Sequence, residues 1–197
     1  MKVGRKIILG SASPRRRELM AEAGYEFEVI VAGVDEESVS SEGISVREYA
    51  ERLALMKAAK VADNWPEAIV IGADTVVDLD GEIIGKASDA AEAEDITRRL
   101  FLKAHEVVTG VAVLCRSEGI EIVESDVTIV YPRKLTEEQI VAHINGDGWQ
   151  GRAGAYGIKE KGDEFVERIE GSLTNVMGMP MELVEEILGR VLKNTKS

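Results

Sequence analysis

Ile7-Ile8-Leu9-Gly10-Ser11-Ala12-Ser13-Pro14-Arg15-Arg16-Arg17 is the stretch whose reading decides how this chain folds. Its first three residues are apolar and predict a buried first strand. Glu18 to Ala23 predicts a helix that stops at Gly24. Ser13 suits the N-cap of that helix, and Pro14 sits where a first-turn proline is favoured. Three arginines then crowd the first turn. The helix dipole is positive there, so each cation costs about 0.3–1 kcal/mol in an isolated helix. A bound anion reverses that sign. Free backbone N–H groups and guanidinium forks together suit a polyphosphate. Read alone, a solvated basic turn fits the same residues.

The elements that follow alternate between helix and strand. Phe27 to Val31 predicts a second strand, followed by a polar connection that contains Asp35-Glu36-Glu37. Ser45 and Glu48 have capping-box spacing and open a helix to about Ala62. Ala68 to Ala73 predicts a central strand that ends at Asp74-Thr75. Val76 to Leu79 and Glu82 to Ile84 flank Asp80-Gly81, a strong hairpin signal. Asp89 and Glu92 open a helix ending near Leu102. Val107–Leu114 and Ile120–Val130 predict two long strands joined at Ser117-Glu118-Gly119. Thr136 and Gln139 cap a helix to about Ile144. Short strands are expected around Ala155–Ile158 and Phe165–Ile169, and Pro180 starts the last helix. This succession predicts an α/β fold with a mixed sheet flanked by helices.

Charge and composition narrow the function. The 197 residues suit one large domain or two lobes sharing a sheet, and 45% hydrophobic residues can build a sizeable core. A net charge of −12 argues against general binding to nucleic acid or to an anionic membrane. Basic groups gathered in one place therefore point to a small anionic ligand. The single cysteine, Cys115, lies in an apolar run and predicts a buried strand thiol. One cysteine fits a reducing compartment. No signal-peptide pattern and no membrane-length apolar run is present, so a cytoplasmic protein is expected.

Several side chains could carry chemistry. Asp74, expected beyond a central strand, could hold a divalent cation or take a proton from water. Glu36 could complete a pair of carboxylates with it; an acidic solvated loop is the alternative. Lys57 and Lys86 could contact phosphate, although each alone also reads as a surface lysine. His105 and His143 have no companion at metal-ligand spacing, so no structural zinc site is predicted. Trp149 and Tyr156 could stack on a base, but packing is the favoured reading. No Gly-x-x-x-x-Gly-Lys-Ser/Thr loop exists, so phosphates would rely on the serine-arginine turn.

Taken in order, these segments resemble the Maf family of nucleoside triphosphate pyrophosphatases. The matching blocks are Ser11-Ala12-Ser13-Pro14-Arg15-Arg16, Asp35-Glu36, Leu53-Ala54 with Lys57-Ala58, and Gly72 to Val77. They continue through Gly85-Lys86, His105 to Gly110, Ala153 to Ile158, Gly171-Ser172 and Asn175-Val176. The resemblance implies a single Maf-like domain over 1–197. It implies an elongated sheet with two lobes around a cleft, similar to inosine triphosphate pyrophosphatases. It also implies cleavage between the α- and β-phosphates, with a divalent metal, Mg²⁺ or Mn²⁺, held by Glu36 and Asp74.

Asp74 takes the family's catalytic position, and Ser11, Arg15, Arg16, Lys57 and Lys86 take its substrate-binding positions. Arg15 and Thr75 fit the specificity positions of the dTTP/UTP subgroup. That subgroup has glutamine after Tyr-Gly-Ile, where this chain has Lys159. Lysine only donates, whereas glutamine also accepts, so a modified nucleotide is an alternative to dTTP or UTP. The expected partners are the nucleotide and, among assemblies, a homodimer. The family's link to septum formation implies a rival reading: a non-catalytic nucleotide-sensing regulator of cell division.

Overall fold

The computed structural model describes residues 5–146, 148–157 and 165–193. The expected Lys159 therefore lies outside the described residues. The strands are β1 (Ile7–Leu9), β2 (Glu28–Val29), β3 (Ile69–Leu79), β4 (Glu82–Ile84), β5 (His105–Cys115), β6 (Ile120–Pro132) and β7 (Val166–Glu170). The helices are α1 (Pro14–Glu22), α2 (Val46–Ala62), α3 (Ala90–Leu100), α4 (Glu137–Asn145), α5 (Leu173–Val176) and α6 (Met181–Lys193). Among the described residues the strands form one sheet in the order β2-β1-β3-β5-β6-β7, with β4 beside β3. Among the described residues only β1 makes parallel pairs, with β2 and β3, and every other pairing is antiparallel.

Side-chain alternation assigns the two faces of the sheet. Ile7, Leu9, Ile69, Ile71, Val111 and Val113 pack on one face with Leu19 and Met20 of α1 and Val184, Ile187 and Leu188 of α6. Ile8, Val70, Ala112 and Leu114 face the other way, onto Ala54, Ala58 and Val61 of α2. The far ends of β3 and β5 enter a second core. Val77, Leu79 and Val107 there meet Ala93, Ile96 and Leu100 of α3, with Trp149 and Tyr156. Two cores on one shared pair of long strands make two lobes with a cleft between them.

Two glycines set how closely α2 approaches. A Cβ at Gly72 would lie 2.7 Å from the backbone nitrogen of Ala58, and one at Gly110 would lie 2.7 Å from that of Glu51. The bare backbone at both positions lets α2 rest directly on β3 and β5. The hairpin between β3 and β4 forms as expected, with Asp80 at φ 56° and Gly81 at φ 86°. These paired positive values are those of a type I′ turn.

Three expectations need correction. The central strand does not end at Asp74-Thr75; β3 continues to Leu79 because β5 pairs with it from Val70 to Asp78. What ends there is the parallel neighbour: β1 reaches only to Leu9, opposite Ile71. The second strand shrinks to Glu28–Val29 because β1, its one partner among the described residues, is three residues long. No strand forms over Ala155–Gly157, since Gly154 and Ala155 hold φ of 69° and 55°. Those values belong to the left-handed region and break an extended run. Ile158 lies outside the described residues.

Candidate active site

Where β1 stops, β3 loses a neighbour and a cleft of about 1160 Å³ opens. Ser11, Arg15, Arg16, Glu36, Lys57, Asp74, Thr75 and Lys86 all line it. Residues separated by up to 75 positions in sequence are thus gathered around one space.

The floor is a chain of charges. Lys57 projects from α2 and places Nζ 2.5 Å from Asp74 Oδ1 and 2.8 Å from Glu36 Oε1. Lys86 Nζ approaches Glu36 Oε2 at 3.4 Å. Lys57 and Asp74 are buried, whereas Glu36 and Lys86 are open to the cleft. Burial pushes the Glu36 carboxyl up. The hydrogen bonds and charges of Lys57 and Lys86 outweigh that effect and hold it below its ordinary value. Among the described residues Oδ1 alone of Asp74 is bonded, which leaves Oδ2 for a ligand.

Arg16 has a different place from Arg15. It is buried, and its guanidinium replaces the missing end of β1. Nη1 donates to the Ala73 carbonyl at 2.7 Å and to Ser11 Oγ at 3.2 Å. Nε donates to the Gly178 carbonyl at 2.7 Å, and Nη2 to Thr75 Oγ1 at 3.1 Å. Burial lowers its pKa, opposed by the charges of Asp74 and Glu36. Arg16 therefore ties α1, β3 and the turn after α5 together behind Asp74. Arg15 instead sits on the cleft rim and pairs with Glu18 at 3.1 Å. The start of α1 is as expected: Ser13 Oγ accepts from the Arg16 backbone N–H, and Pro14 opens the helix.

Thr75 faces the same network. Its Oγ1 lies 3.0 Å from Thr109 Oγ1, which in turn donates to the Asn175 carbonyl at 3.2 Å. Asn175 is fully buried and donates from Nδ2 to the Val107 carbonyl and Thr128 Oγ1, each at 3.0 Å. This row of hydroxyls and amides crosses β3, β5 and β6 and holds α5 in register beside the cleft. Sequence reading singled out no role for Thr109 or Asn175. Both lie in the blocks that carry the family resemblance, which by itself gives neither a role.

The opposite wall runs from Gln150 to Gly157. Two histidines brace it. His105 Nε2 lies 2.6 Å from the Tyr156 hydroxyl, and Nδ1 lies 3.4 Å from the Lys103 carbonyl. A carbonyl can only accept, so Nδ1 carries the proton and Nε2 accepts from tyrosine. Burial pushes His105 below the usual imidazole range and keeps it neutral. His143 Nε2 donates to the Ala155 carbonyl at 2.8 Å. Trp149 packs in the second core with its Nε1 on the Ile144 carbonyl, whereas Tyr156 reaches the cleft. Cys115 is buried, as expected.

Glu36 and Asp74 are the residues that could hold a metal. Among the described residues no group of three or more histidine, cysteine or carboxylate side chains could do so. Two carboxylates nonetheless fit Mg²⁺ or Mn²⁺, which take their other ligands from phosphate and water. The Lys57 ammonium stands between the same two carboxylates. No helix among the described residues is long and apolar enough to cross a membrane.

Comparison with known proteins agrees with this geometry. The family model described as Maf-like protein matches residues 6–191. A dTTP/UTP pyrophosphatase of Symbiobacterium thermophilum is 42% identical over 183 residues, which cover 93% of this chain and 92% of that one. One from Bacillus cereus is 44% identical over 184 residues, covering 93% and 94%. Among solved structures, a HAM1 protein from Coxiella burnetii superposes with a TM-score of 0.52 at 14% identity, covering 96% of this chain and 99% of its own. The Ham1 protein of Staphylococcus aureus gives 0.56 at 14%, covering 98% and 100%. At that identity the likeness speaks for the fold alone.

Proposed function

Starting from the premise that the chain belongs to the Maf family, we propose that it hydrolyses nucleoside triphosphates to the monophosphate and pyrophosphate. The relatives' activity supports dTTP and UTP as the leading substrates. The observation that carries the reading is Asp74 on the cleft floor, joined to Glu36 through Lys57 and overlooked by the start of α1. A cleft that only bound nucleotide would need cations, not two carboxylates set among them.

In this reading the triphosphate lies along the floor with its α-phosphorus near Asp74. Asp74 Oδ2 takes the proton of the attacking water while Lys57 holds Oδ1 in place. Glu36 and Asp74 would hold Mg²⁺ or Mn²⁺, which supplies Lewis-acid polarisation of the phosphate oxygens. Ser11 and the positive end of the α1 dipole orient the phosphates. Arg15 and Lys86 neutralise charge as it grows on the departing pyrophosphate. Arg16 acts from behind, through Ala73 and Thr75, by fixing the strand that carries Asp74. Lys159 and Thr75 are proposed to influence base choice.

The test is a panel of nucleotides that includes dTTP, UTP, CTP, GTP, ITP and 7-methyl-GTP, each with Mg²⁺ or Mn²⁺. Monophosphate and pyrophosphate in equal amounts are expected, with dTTP and UTP cleaved fastest. Tight nucleotide binding without any product would instead favour the non-catalytic sensor.

A further inference from the structure

We propose that Arg152 is an additional substrate-binding residue that grips the phosphate chain from the wall opposite α1; this deepens, and rests on, the nucleotide reading above. The cleft's other cations are already committed. Arg15 pairs with Glu18, Lys57 sits between Glu36 and Asp74, and Lys86 faces Glu36. Arg16 is buried, with its donors on carbonyl and hydroxyl oxygens. Arg152 lines the same cleft, is exposed, and forms no ion pair among the described residues. In a chain with 36 acidic and 24 basic side chains, this guanidinium faces the cleft with no carboxylate paired to it among the described residues. Its full charge and planar fork are available to an anion.

The backbone around it is built to hold that position. Ala153 bridges to Lys86, and the Gly154 N–H donates to the Gly85 carbonyl at 2.9 Å. Arg152 and Lys86 therefore belong to one rim. His105 and His143 fasten the next two residues from behind, through the Tyr156 hydroxyl and the Ala155 carbonyl. Gly157 supplies the space: a Cβ there would lie 2.9 Å from Arg152 Cδ and 3.0 Å from Cζ. The guanidinium lies against bare backbone that any other residue would fill. Because Lys86 already belongs to the phosphate end of the cleft, its bridged neighbour is assigned to phosphate oxygens and not to the base.

The probe is inorganic tripolyphosphate with Mg²⁺, titrated by calorimetry into the whole protein, together with KM and kcat across the nucleotide panel. Arg152→Gln is expected to weaken tripolyphosphate by about tenfold to a hundredfold, the size of one lost charge-assisted hydrogen bond. KM should rise by a similar factor for every base, with the ranking of bases unchanged. Arg152→Lys should recover part of the loss. Gly157→Ala, whose Cβ displaces the guanidinium, should act in the same direction and add nothing to Arg152→Gln. Unchanged tripolyphosphate affinity in Arg152→Gln overturns the proposal, whether or not the base ranking moves. The calorimetric result does not need turnover. A wild-type protein that cleaves no nucleotide would sink the hydrolase reading while still reporting on Arg152.

Discussion

Lys57→Met removes the cation shared by both floor carboxylates while keeping an unbranched apolar stem in its place. Apolar packing survives, so the effect is electrostatic. The Lys57 and Asp74 side chains are 9% and 7% exposed, and their contact is 2.5 Å. Removing one member of a buried pair costs about 3–5 kcal/mol, because the other charge stays buried without a partner. Two features pull the value to the lower end. Glu36 is 40% exposed and keeps Lys86 at 3.4 Å, so its share is screened to below about 1 kcal/mol. Arg16 also contributes positive charge within reach of Asp74. We therefore expect a loss of about 3 kcal/mol, or roughly 6–12 °C in Tm for a chain of this size. The assay is urea and thermal unfolding at pH 7 with chelator present, so that no added metal substitutes for the ammonium. Asp74→Asn in the Lys57→Met background should restore much of the stability, since the orphaned charge is gone. A Lys57→Met protein within about 0.5 kcal/mol of wild type, or strict additivity in the double variant, would refute the reasoning.

Three other perturbations separate the parts of the account. Gly72→Ala drives a Cβ into the α2 backbone, 2.7 Å from Ala58 N, and should cost about 1–3 kcal/mol and lower kcat by moving Lys57, whereas Gly85→Ala, with nothing within 4 Å, should stay within about 0.5 kcal/mol by chemical unfolding. Arg16→Ala strands the Ala73 and Gly178 carbonyls and should cost about 1–3 kcal/mol in unfolding assays, while Arg15→Ala should leave stability nearly unchanged and weaken nucleotide binding. The lowered pKa of His105 means that the unfolded chain takes up the proton first: stability should be level above the ordinary value of 6.5 and fall as pH drops below it, and His105→Gln should remove that part of the slope when Tm is followed against pH.

Much of the architecture was legible because local rules agreed with tertiary packing. Ser45, Asp89 and Thr136 each accept from the backbone three residues on, as their spacing predicts. Asp80-Gly81 makes its hairpin. The same rules misplaced the end of the central strand. A carboxylate after an apolar run reads as a strand end, yet β5 supplies pairing straight through Asp74. That pairing is long-range, and no local pattern reports it. The family blocks brought Ser11, Glu36, Lys57, Asp74 and Lys86 together by resemblance, and their residue types also made chemical sense. What stayed hidden was the division of labour between adjacent arginines. Burial of Arg16 follows from where β1 stops, and only the sheet register reveals that. The roles of Thr109, Asn175 and His105 were hidden for the same reason: each depends on a partner far away in the chain.

Hydrolysis in water enriched in oxygen-18, with the products separated by mass, tests the central claim most directly. Attack at the α-phosphorus over Asp74 places one labelled oxygen in the monophosphate and none in the pyrophosphate. Asp74→Asn should slow that incorporation at least about a hundredfold while the protein remains folded. Label in the pyrophosphate, release of a diphosphate with inorganic phosphate, or a near-normal rate in Asp74→Asn would contradict the account.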